Sequence, residues 1–247
     1  MKNSKYLIII IMLCVGQLTQ AQTKHSVASF AKVIISPHIE TTFVQGDEES
    51  VTILNNTESD DKVNIEVNKN TLRVYLEDAK ETTKQETIEK DGVKMKVPIY
   101  KGKVLTILVT YKSIETMSLR GEQRTYCESL MDAKKFKLYI YGESQITFND
   151  VKFDTFNVDI YGESHLIINK GTINAQNITA YGAGSINLIE VDNKTSKLKA
   201  YGEAVFKIQA SKSIKFTAYG EATLRYKGDA AINKGLSFGD SEITRVD

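Results

Sequence analysis

The chain has 247 residues, of which 41% are hydrophobic and 26% are charged, and its formal net charge is +1. This length allows one elongated domain or two compact ones. The nearly balanced charge gives no reason to expect nucleic acid or an anionic membrane surface as a partner.

The first 21 residues have the pattern of a secretory signal peptide. Lys2 and Lys5 give a positive start, residues 6–15 form an apolar run, and Thr19-Gln20-Ala21 is a cleavage site. The apolar run is too short to span a bilayer, and no other long apolar run follows it. We therefore expect cleavage after Ala21, no transmembrane segment in the mature chain, and export to the periplasm, the outer membrane or the extracellular space.

Residues 22–112 predict an irregular series of N-terminal strands. The polar residues 22–27 are expected to fray. The β-rich runs that follow end at turn-forming residues; they are 30–35, 39–44, 51–54, 63–67 and 72–76. These strands are either irregular first coils or a β-layer that caps the apolar interior. A cap is needed because a bare end would expose unpaired strand edges.

Residues 77–103 are dense in Lys, Glu and Thr. The part up to Lys90 predicts an exposed charged loop. The rest alternates lysines with apolar residues and predicts an amphipathic edge hairpin, and Asp91-Gly92 is a hairpin-turn signal. We interpret this segment as a solvated excursion; a basic arm that docks a ligand is the alternative.

Residues 113–247 carry a glycine-centred phrase that recurs in regular steps. The steps between successive glycines are 21, 20, 20, 20, 18 and 19 residues, and the glycines are Gly121, Gly142, Gly162, Gly182, Gly202, Gly220 and Gly239. Such a period predicts stacked coils. Even offsets from each glycine are apolar or small and odd offsets are mostly polar, which is the alternation of β-strands. Each repeat therefore predicts a strand, a glycine bend, a second strand and a third short segment such as 151–153.

The predicted fold is all-β: a parallel β-helix, or solenoid, with coils of about 20 residues and an irregular N-terminal β cap, in one domain over residues 22–247. A hairpin meander, as in a β-sandwich or a propeller, is the competing geometry. It needs alternating strand directions and two-residue turn signals, which are scarce in this sequence. Residues 121–135 look irregular, as a turn that carries Cys127. This cysteine is left without a disulfide partner once the signal peptide is removed, and we expect it to be a partly buried apolar residue.

The repeated phrases resemble those of a known family. Tyr-Gly-Glu-Ser, Tyr-Gly-Glu-Ala and Gly-Asp-Ser-Glu-Ile are similar to the Gly-Ser-Gly or Gly-Ala-Gly coils of the head GIN domain, also called DUF2807. The opening from Phe30 through Gly46-Asp47 to Val74 is similar as well, so the resemblance spans about residues 30–243. It implies a right-handed parallel β-helix in secreted or cell-envelope proteins of Bacteroidetes-type bacteria, and the family name implies an adhesin. It brings no catalytic residues. Tyrosine before the glycine and glutamate after it depart from the family pattern, so the ligands of relatives do not carry over.

The odd offsets place a tyrosine before each bend and an acid after it. The tyrosines predicted to form an outer ladder are Tyr141, Tyr161, Tyr181, Tyr201 and Tyr219. The row of acids beside them contains Glu143, Glu163, Glu203 and Glu221, and Ala183 interrupts it. Rings at strand spacing can stack, so the ladder either stabilises neighbouring coils or also offers a platform to a sugar or a protein. The acids are interpreted as solvated charge, because the sequence has no calcium-binding loop.

These patterns predict no catalytic residue, no cofactor and no metal. A polysaccharide-active β-helix enzyme is one alternative, but it needs two unequal acids in a groove, and a regular row supplies equivalent ones. The sequence therefore predicts a non-enzymatic secreted or cell-envelope protein, an adhesin or surface-binding module that contacts a cell-surface glycan or protein through its Tyr/Glu ladder. A purely structural or envelope-stress-associated protein without a dedicated ligand is the other alternative.

Overall fold

The strands of this chain wind into a coil that always advances in one direction. A computed structural model describes residues 22–247, and the predicted signal peptide, residues 1–21, lies outside the described residues. Coils of about 20 residues stack in about six turns, which confirms the predicted all-β class and the parallel β-helix. Helical structure within residues 22–247 is one short 3-10 turn, Asp60–Lys62. Over the same range, no helix has the length and apolar character needed to cross a bilayer.

The N-terminal part contains nine strands. They are β1 (Thr23–Ser26), β2 (Lys32–Ile35), β3 (Ile39–Gln45), β4 (Ser50–Asn56), β5 (Val63–Asn68), β6 (Thr71–Leu76), β7 (Gln85–Lys90), β8 (Val93–Pro98) and β9 (Leu105–Tyr111).

The regular coils contain the remaining strands, some of which run around more than one side of the coil. They are β10 (Thr116–Gly121), β11 (Arg124–Gly142), β12 (Gln145–Gly162), β13 (His165–Ile168), β14 (Gly171–Tyr181), β15 (Ser185–Leu188), β16 (Val191–Tyr201), β17 (Val205–Gln209), β18 (Ser213–Tyr219), β19 (Ala222–Lys227), β20 (Ala231–Phe238) and β21 (Ser241–Arg245).

The stacked coils have three faces. Face A contains the segments that lead into the bend glycines, and its strands pair in parallel from β10 through β11, β12, β14, β16 and β18 to β20. Face B contains the segments that follow the glycines and ends at β21. Face C contains the short third segments, such as 151–153 and 171–173, which also pair in register. Like positions of successive coils therefore lie directly above one another.

The bend glycines are required by both conformation and space. All seven have φ between +94° and +130°, a region that L-residues rarely adopt. A Cβ on Gly162 would lie 2.3 Å from the carbonyl oxygen of Gly142, one coil earlier. Glycine thus lets face A turn into face B while neighbouring coils stay at strand spacing.

Antiparallel strands close the N-terminal end of the solenoid. β4 pairs with β9 and β1 pairs with β4, while β5 pairs with β6, all in antiparallel fashion. Residues 22–27 are therefore not frayed as predicted, because the open edge of β4 supplies partners to the polar strand β1. Residues 121–135 are not irregular either: β11 starts at Arg124 and pairs with β3 and β12. A register shift between Cys127 and Leu130 is the irregular feature that remains there.

The charged excursion is a hairpin that projects from the solenoid. β7 and β8 pair with each other in antiparallel fashion. Residues 77–84 form a loop as predicted, but residues 85–90 form strand β7 where the sequence predicts a loop. Asp91 and Gly92 have φ of 53° and 74°, the left-handed pair that suits a tight hairpin turn. Most side chains of the hairpin are exposed. Charged residues are therefore tolerated on both of its faces, and the apolar–polar alternation that marks a strand is weak in its sequence. A small apolar cluster of Leu76, Ala79, Tyr100 and Val104 anchors its base.

One continuous apolar core fills the coil from end to end. Phenylalanines dominate its middle, where the rings of Phe136 and Phe153 stack with centroids 4.8 Å apart. Cys127 lies inside this core and is fully buried, more deeply than the sequence predicts. Burial raises the pKa of its thiol, so the group stays protonated. The core packs beneath face A, and the outer side of face A presents the candidate site.

Candidate functional site

The five predicted tyrosines form a continuous outer stack on face A. They are register partners in neighbouring strands: Tyr141, Tyr161, Tyr181, Tyr201 and Tyr219. The centroids of successive rings are 4.9 to 5.1 Å apart, and the ring planes differ by no more than 7°. The predicted ladder is therefore present. Its spacing is that of the strands that carry it.

Stacking decides which part of each ring is available. The faces of the inner rings cover one another, so a sugar cannot lie flat on Tyr161, Tyr181 or Tyr201. Each of these three residues nevertheless keeps 40% of its surface exposed, which consists of ring edges and hydroxyls. Burial and the nearby Asp159 carboxylate raise the pKa of Tyr161, so its hydroxyl remains both donor and acceptor. The ladder offers a line of phenol hydroxyls rather than a flat aromatic platform.

Buried residues behind the bends fix the stack in place. Two positions after the glycine, the hydroxyl of Ser144 donates to the carbonyl of Gly121 at 2.7 Å, and that of Ser164 donates to Gly142 at 2.8 Å. Later coils have Gly184, Ala204 and Ala222 there. Small residues are needed because this position faces the core.

A charged cluster covers the N-terminal end of the ladder. The guanidinium of Arg120 lies 4.7 Å from the centroid of the Tyr141 ring, a cation–π distance. Glu81 forms an ion pair with Arg120 at 2.6 Å and also pairs with Arg73. Burial works to raise the pKa of Glu81, but the hydrogen bond from Arg73 and the charge of Arg120 outweigh it and lower the pKa. The cluster borders a cleft of about 400 Å³ that also contains His38 and Tyr141.

An exposed aromatic residue ends the ladder at the opposite side. Phe238 stacks on Tyr219 with centroids 5.7 Å apart, and 63% of its surface is exposed. Leu236 in the same strand is 69% exposed, because a register shift in β20 lies at this point of its pairing with β18. The outer side of Phe238 carries no further ring among the described residues, whereas the guanidinium of Arg120 lies over Tyr141 at the other end of the stack.

The predicted acidic row lies at the bends and is fully solvated. Glu143, Glu163, Glu203 and Glu221 each follow a bend glycine and are exposed. Within residues 22–247, none of the four forms an ion pair. In the described part of the chain, no group of three or more His, Cys, Asp or Glu residues is arranged to hold a metal ion. The row therefore offers repeated single carboxylates to solvent.

The C-terminal half of this row borders a cleft of about 840 Å³. Glu203, Glu221, Asp240 and Glu242 line it. All four are on the surface. Glu203, Glu221 and Asp240 follow one another at coil spacing, and Glu242 lies two residues after Asp240. The cleft therefore brings several exposed carboxylates together at the C-terminal end of the row.

Sequence reasoning missed the two ends of the ladder. Arg120 and Phe238 occupy the position before the first and the last of the seven glycines, Gly121 and Gly239, so the same alignment contains both of them. Glu81 had no such signal, since it lies in the excursion far from the repeats. Its role depends on the pairing of β6 with β2 and of β2 with β10, which brings Arg73 and Arg120 onto one face.

Comparison with known sequences identifies a family. The sequence model of DUF2807, described as "Putative auto-transporter adhesin, head GIN domain", matches residues 29–230. No curated protein sequence matches this chain.

Solved structures share the fold at low sequence identity. An adhesin-type protein from Bacteroides fragilis NCTC 9343, named "putative adhesin", has a TM-score of 0.75 and 16% identity, and the alignment covers 91% of this chain and 96% of that one. A "putative adhesin" from Parabacteroides merdae has a TM-score of 0.66 and 16% identity, with 92% and 96% covered. A "Putative lipid binding protein" from Parabacteroides distasonis has a TM-score of 0.65 and 14% identity, with 92% and 96% covered. At such identities the likeness concerns the fold alone.

Proposed function

Because the chain belongs to the DUF2807, or head GIN, family of adhesin-type domains, we propose that it is a non-enzymatic surface-binding module that contacts a cell-surface glycan or protein. The observation that carries this proposal is the exposed edge of the ladder, with five tyrosines in register at 4.9 to 5.1 Å. Adhesin naming of the family and of similar folds supports the same class of function.

The ladder edge suits a ligand with many hydroxyl or amide groups. Each tyrosine hydroxyl donates and accepts a hydrogen bond, and each neighbouring glutamate accepts. Repetition over several coils lets weak contacts act together on an extended ligand. The cleft next to Arg120, of about 400 Å³, falls within the size range of ligand pockets and offers a place for the end of such a ligand.

A purely structural ladder is the competing function, and the covered ring faces favour it. Each stacked cross-strand pair stabilises the coils by roughly 0.2–1 kcal/mol. Replacing Tyr161, Tyr181 and Tyr201 together removes four stacked pairs, so a loss of about 1–4 kcal/mol is expected from structure alone.

Two matched triple variants separate the two functions. The first changes Tyr161, Tyr181 and Tyr201 to Ser and removes rings and hydroxyls; the second changes the same residues to Phe and removes only hydroxyls. Binding of residues 22–247 to intact cells and to a glycan array is measured for both variants, together with thermal melting.

Under the proposal, the Phe variant has a melting temperature close to that of the unmodified protein but binds at least about tenfold more weakly, because its hydroxyl contacts with the ligand are lost. The Ser variant then loses both binding and some stability. Unchanged binding by folded protein of both variants, with a melting loss for Ser alone, would leave the ladder a structural role and refute the binding function.

We also propose that the protein acts outside the cytoplasm, in the periplasm, at the outer membrane or in the extracellular space. Support comes from the signal-peptide pattern of residues 1–21 and from the adhesin-type family. Sequencing of the N-terminus after expression in a Bacteroidetes-type host should find Gln22 first; a retained Met1 in a cytoplasmic fraction contradicts export.

A further inference from the structure

A second surface of face A is made of unpaired lysines. Across three successive coils, the segments 193–201, 211–219 and 230–238 contain no acidic residue. The exposed side chains of the first two of these segments include five lysines, which we call the lysine face: Lys194, Lys197, Lys199, Lys212 and Lys215. None of the five forms an ion pair within residues 22–247. The chain is nearly neutral as a whole, so this is a local separation of charge.

The lysines face each other from neighbouring strands. Lys197 and Lys215 are register partners, and the backbone N–H of Lys212 donates to the carbonyl of Lys194 at 2.9 Å. Strands are about 4.8 Å apart, and like charges directly opposite each other destabilise a sheet. The free protein therefore contains repulsion that a bound anion would relieve.

Elsewhere the coils pair opposite charges at equivalent positions. Lys152 and Asp132 are register partners joined by an ion pair of 3.3 Å. Lys170 and Asp150 form another pair of 3.3 Å between successive coils. The fold thus accommodates ion pairs between coils, but the five lysines of the lysine face form none within residues 22–247.

Two cavities share Lys197 and Lys215 as lining residues. One of about 340 Å³ also contains Asn177, Thr195 and Asn233, and the other, of about 170 Å³, contains Lys199 and Thr217. Gln176 lines the larger cavity, is 2% exposed, and has a side-chain oxygen without a hydrogen-bond partner among the described residues. The surface is therefore indented, polar and positively charged.

We propose that the lysine face binds an acidic polysaccharide, a linear glycan that carries carboxylate or sulfate groups. Its anionic groups pair with lysine ammonium groups that recur from coil to coil. Its hydroxyls hydrogen-bond with Asn177, Asn233 and Thr195 between the lysines. The glycan runs perpendicular to the strands, along the solenoid axis, because the lysines recur from coil to coil in that direction.

The chemistry between the lysines favours a glycan over a lipid surface. Side chains that penetrate a membrane interface are apolar or aromatic, whereas Asn, Thr and Ser separate these lysines. The large exposed apolar side chains beside the lysines are Tyr201, whose ring faces are covered within the ladder, and Leu236, which lies at the register shift in the last strand of face A. A polar, indented surface instead matches a hydroxyl-rich polyanion.

The test compares two variants that lose the same charge. The first is Lys197→Gln, Lys199→Gln and Lys215→Gln; the matched control is Lys62→Gln, Lys152→Gln and Lys170→Gln, which removes three lysines that form ion pairs elsewhere. Binding of residues 22–247 to heparin, to polygalacturonate and to neutral dextran is measured at low and high salt, with phosphatidylglycerol vesicles as a separate probe.

The unmodified protein is expected to bind one or both polyanions and not dextran, with affinity that falls as salt rises. The lysine-face variant should lose at least about tenfold in affinity, while the control loses less than about twofold. Its melting temperature should stay equal or rise, because repulsion is removed. Equal losses in both variants, no polyanion binding by the unmodified protein, or binding to vesicles alone would each overturn the proposal.

This inference is independent of the ladder. A protein with Tyr161, Tyr181 and Tyr201 changed to Ser should keep its polyanion binding. Loss of that binding in the tyrosine variant, together with normal binding by the lysine-face variant, would assign the polyanion to the ladder and refute the lysine face.

Discussion

The glycine bends make the sharpest prediction about what holds the ladder in place. In Gly162→Ala, the new methyl group would lie 2.3 Å from the carbonyl oxygen of Gly142, and φ at this position is +119°. Carbon and oxygen atoms that touch without bonding are about 3.3 Å apart or more, so the two coils must separate by roughly 1 Å.

The cost follows from three contributions. An L-residue in this region of φ is strained by about 1–3 kcal/mol. The carbonyl of Gly142 also accepts hydrogen bonds from the backbone N–H of Glu163 at 3.0 Å and from the hydroxyl of Ser164 at 2.8 Å. Each is worth about 1 kcal/mol, and separation of the coils weakens both. We expect Gly162→Ala to lower the free energy of unfolding by about 3–5 kcal/mol.

Gly184→Ala is the matched control. Gly184 lies at the small position after the next bend, where later coils already have Ala204 and Ala222, and the nearest atom to an added Cβ is 3.6 Å away. This change should be neutral or stabilise by up to about 1 kcal/mol. Urea unfolding followed by circular dichroism measures both variants.

A Gly162→Ala protein with the same urea midpoint as Gly184→Ala would contradict the reasoning. It would mean that the coils move apart without cost, and therefore that bend geometry does not set the spacing of the tyrosines. A large loss in Gly162→Ala with ladder binding retained at low temperature would instead separate stability from function.

Two further predictions concern the ladder's end and the core. Glu81→Gln should destabilise the protein at neutral pH by about 0.2–1 kcal/mol, the range for partly exposed ion pairs. Because the folded state lowers the Glu81 pKa from its ordinary 4.5, this stabilisation is present above pH 4.5 and is lost on acidification, so the stability of the variant should fall less steeply in acid than that of the unmodified protein. Glu143→Gln is the control, and a variant with the same pH profile as the unmodified protein would contradict the prediction. Cys127, fully buried with its thiol pKa raised by burial, should resist a disulfide-exchange reagent in the native protein and react on urea unfolding; rapid labelling without urea would show that the coil opens locally.

Much of the fold was predictable because its signals are local. Alternation of apolar and polar residues marks which side chains face inward, and it depends only on the backbone geometry of a strand. The recurring glycines mark where each coil bends, since other residues rarely adopt their φ values. Aligning the copies on Gly142 and Gly162 was therefore enough to predict the ladder and its outward direction.

The segments that were predicted wrongly lack such local signals. β1 is a polar strand whose hydrogen-bond partners belong to β4, and β7 is a charged strand whose partner is β8. Composition suggests a frayed end and a loop in these places, but available backbone partners decide the conformation. Residues 124–135 were similarly obscured by the register shift that follows Cys127.

By itself the sequence determined the coil length, the inward and outward faces, and the rows of tyrosine and glutamate. These follow from the φ values that only glycine adopts readily and from the alternation of apolar and polar side chains along each strand. Only the tertiary structure decided that the inner ring faces are covered, that Arg120 and Glu81 close one end of the ladder, and that no acid from another part of residues 22–247 pairs with Lys197 or Lys215. Those properties join residues from separate coils and from the excursion. They depend on contacts between side chains of neighbouring strands about 4.8 Å apart. The sequence pattern within one repeat does not specify these contacts.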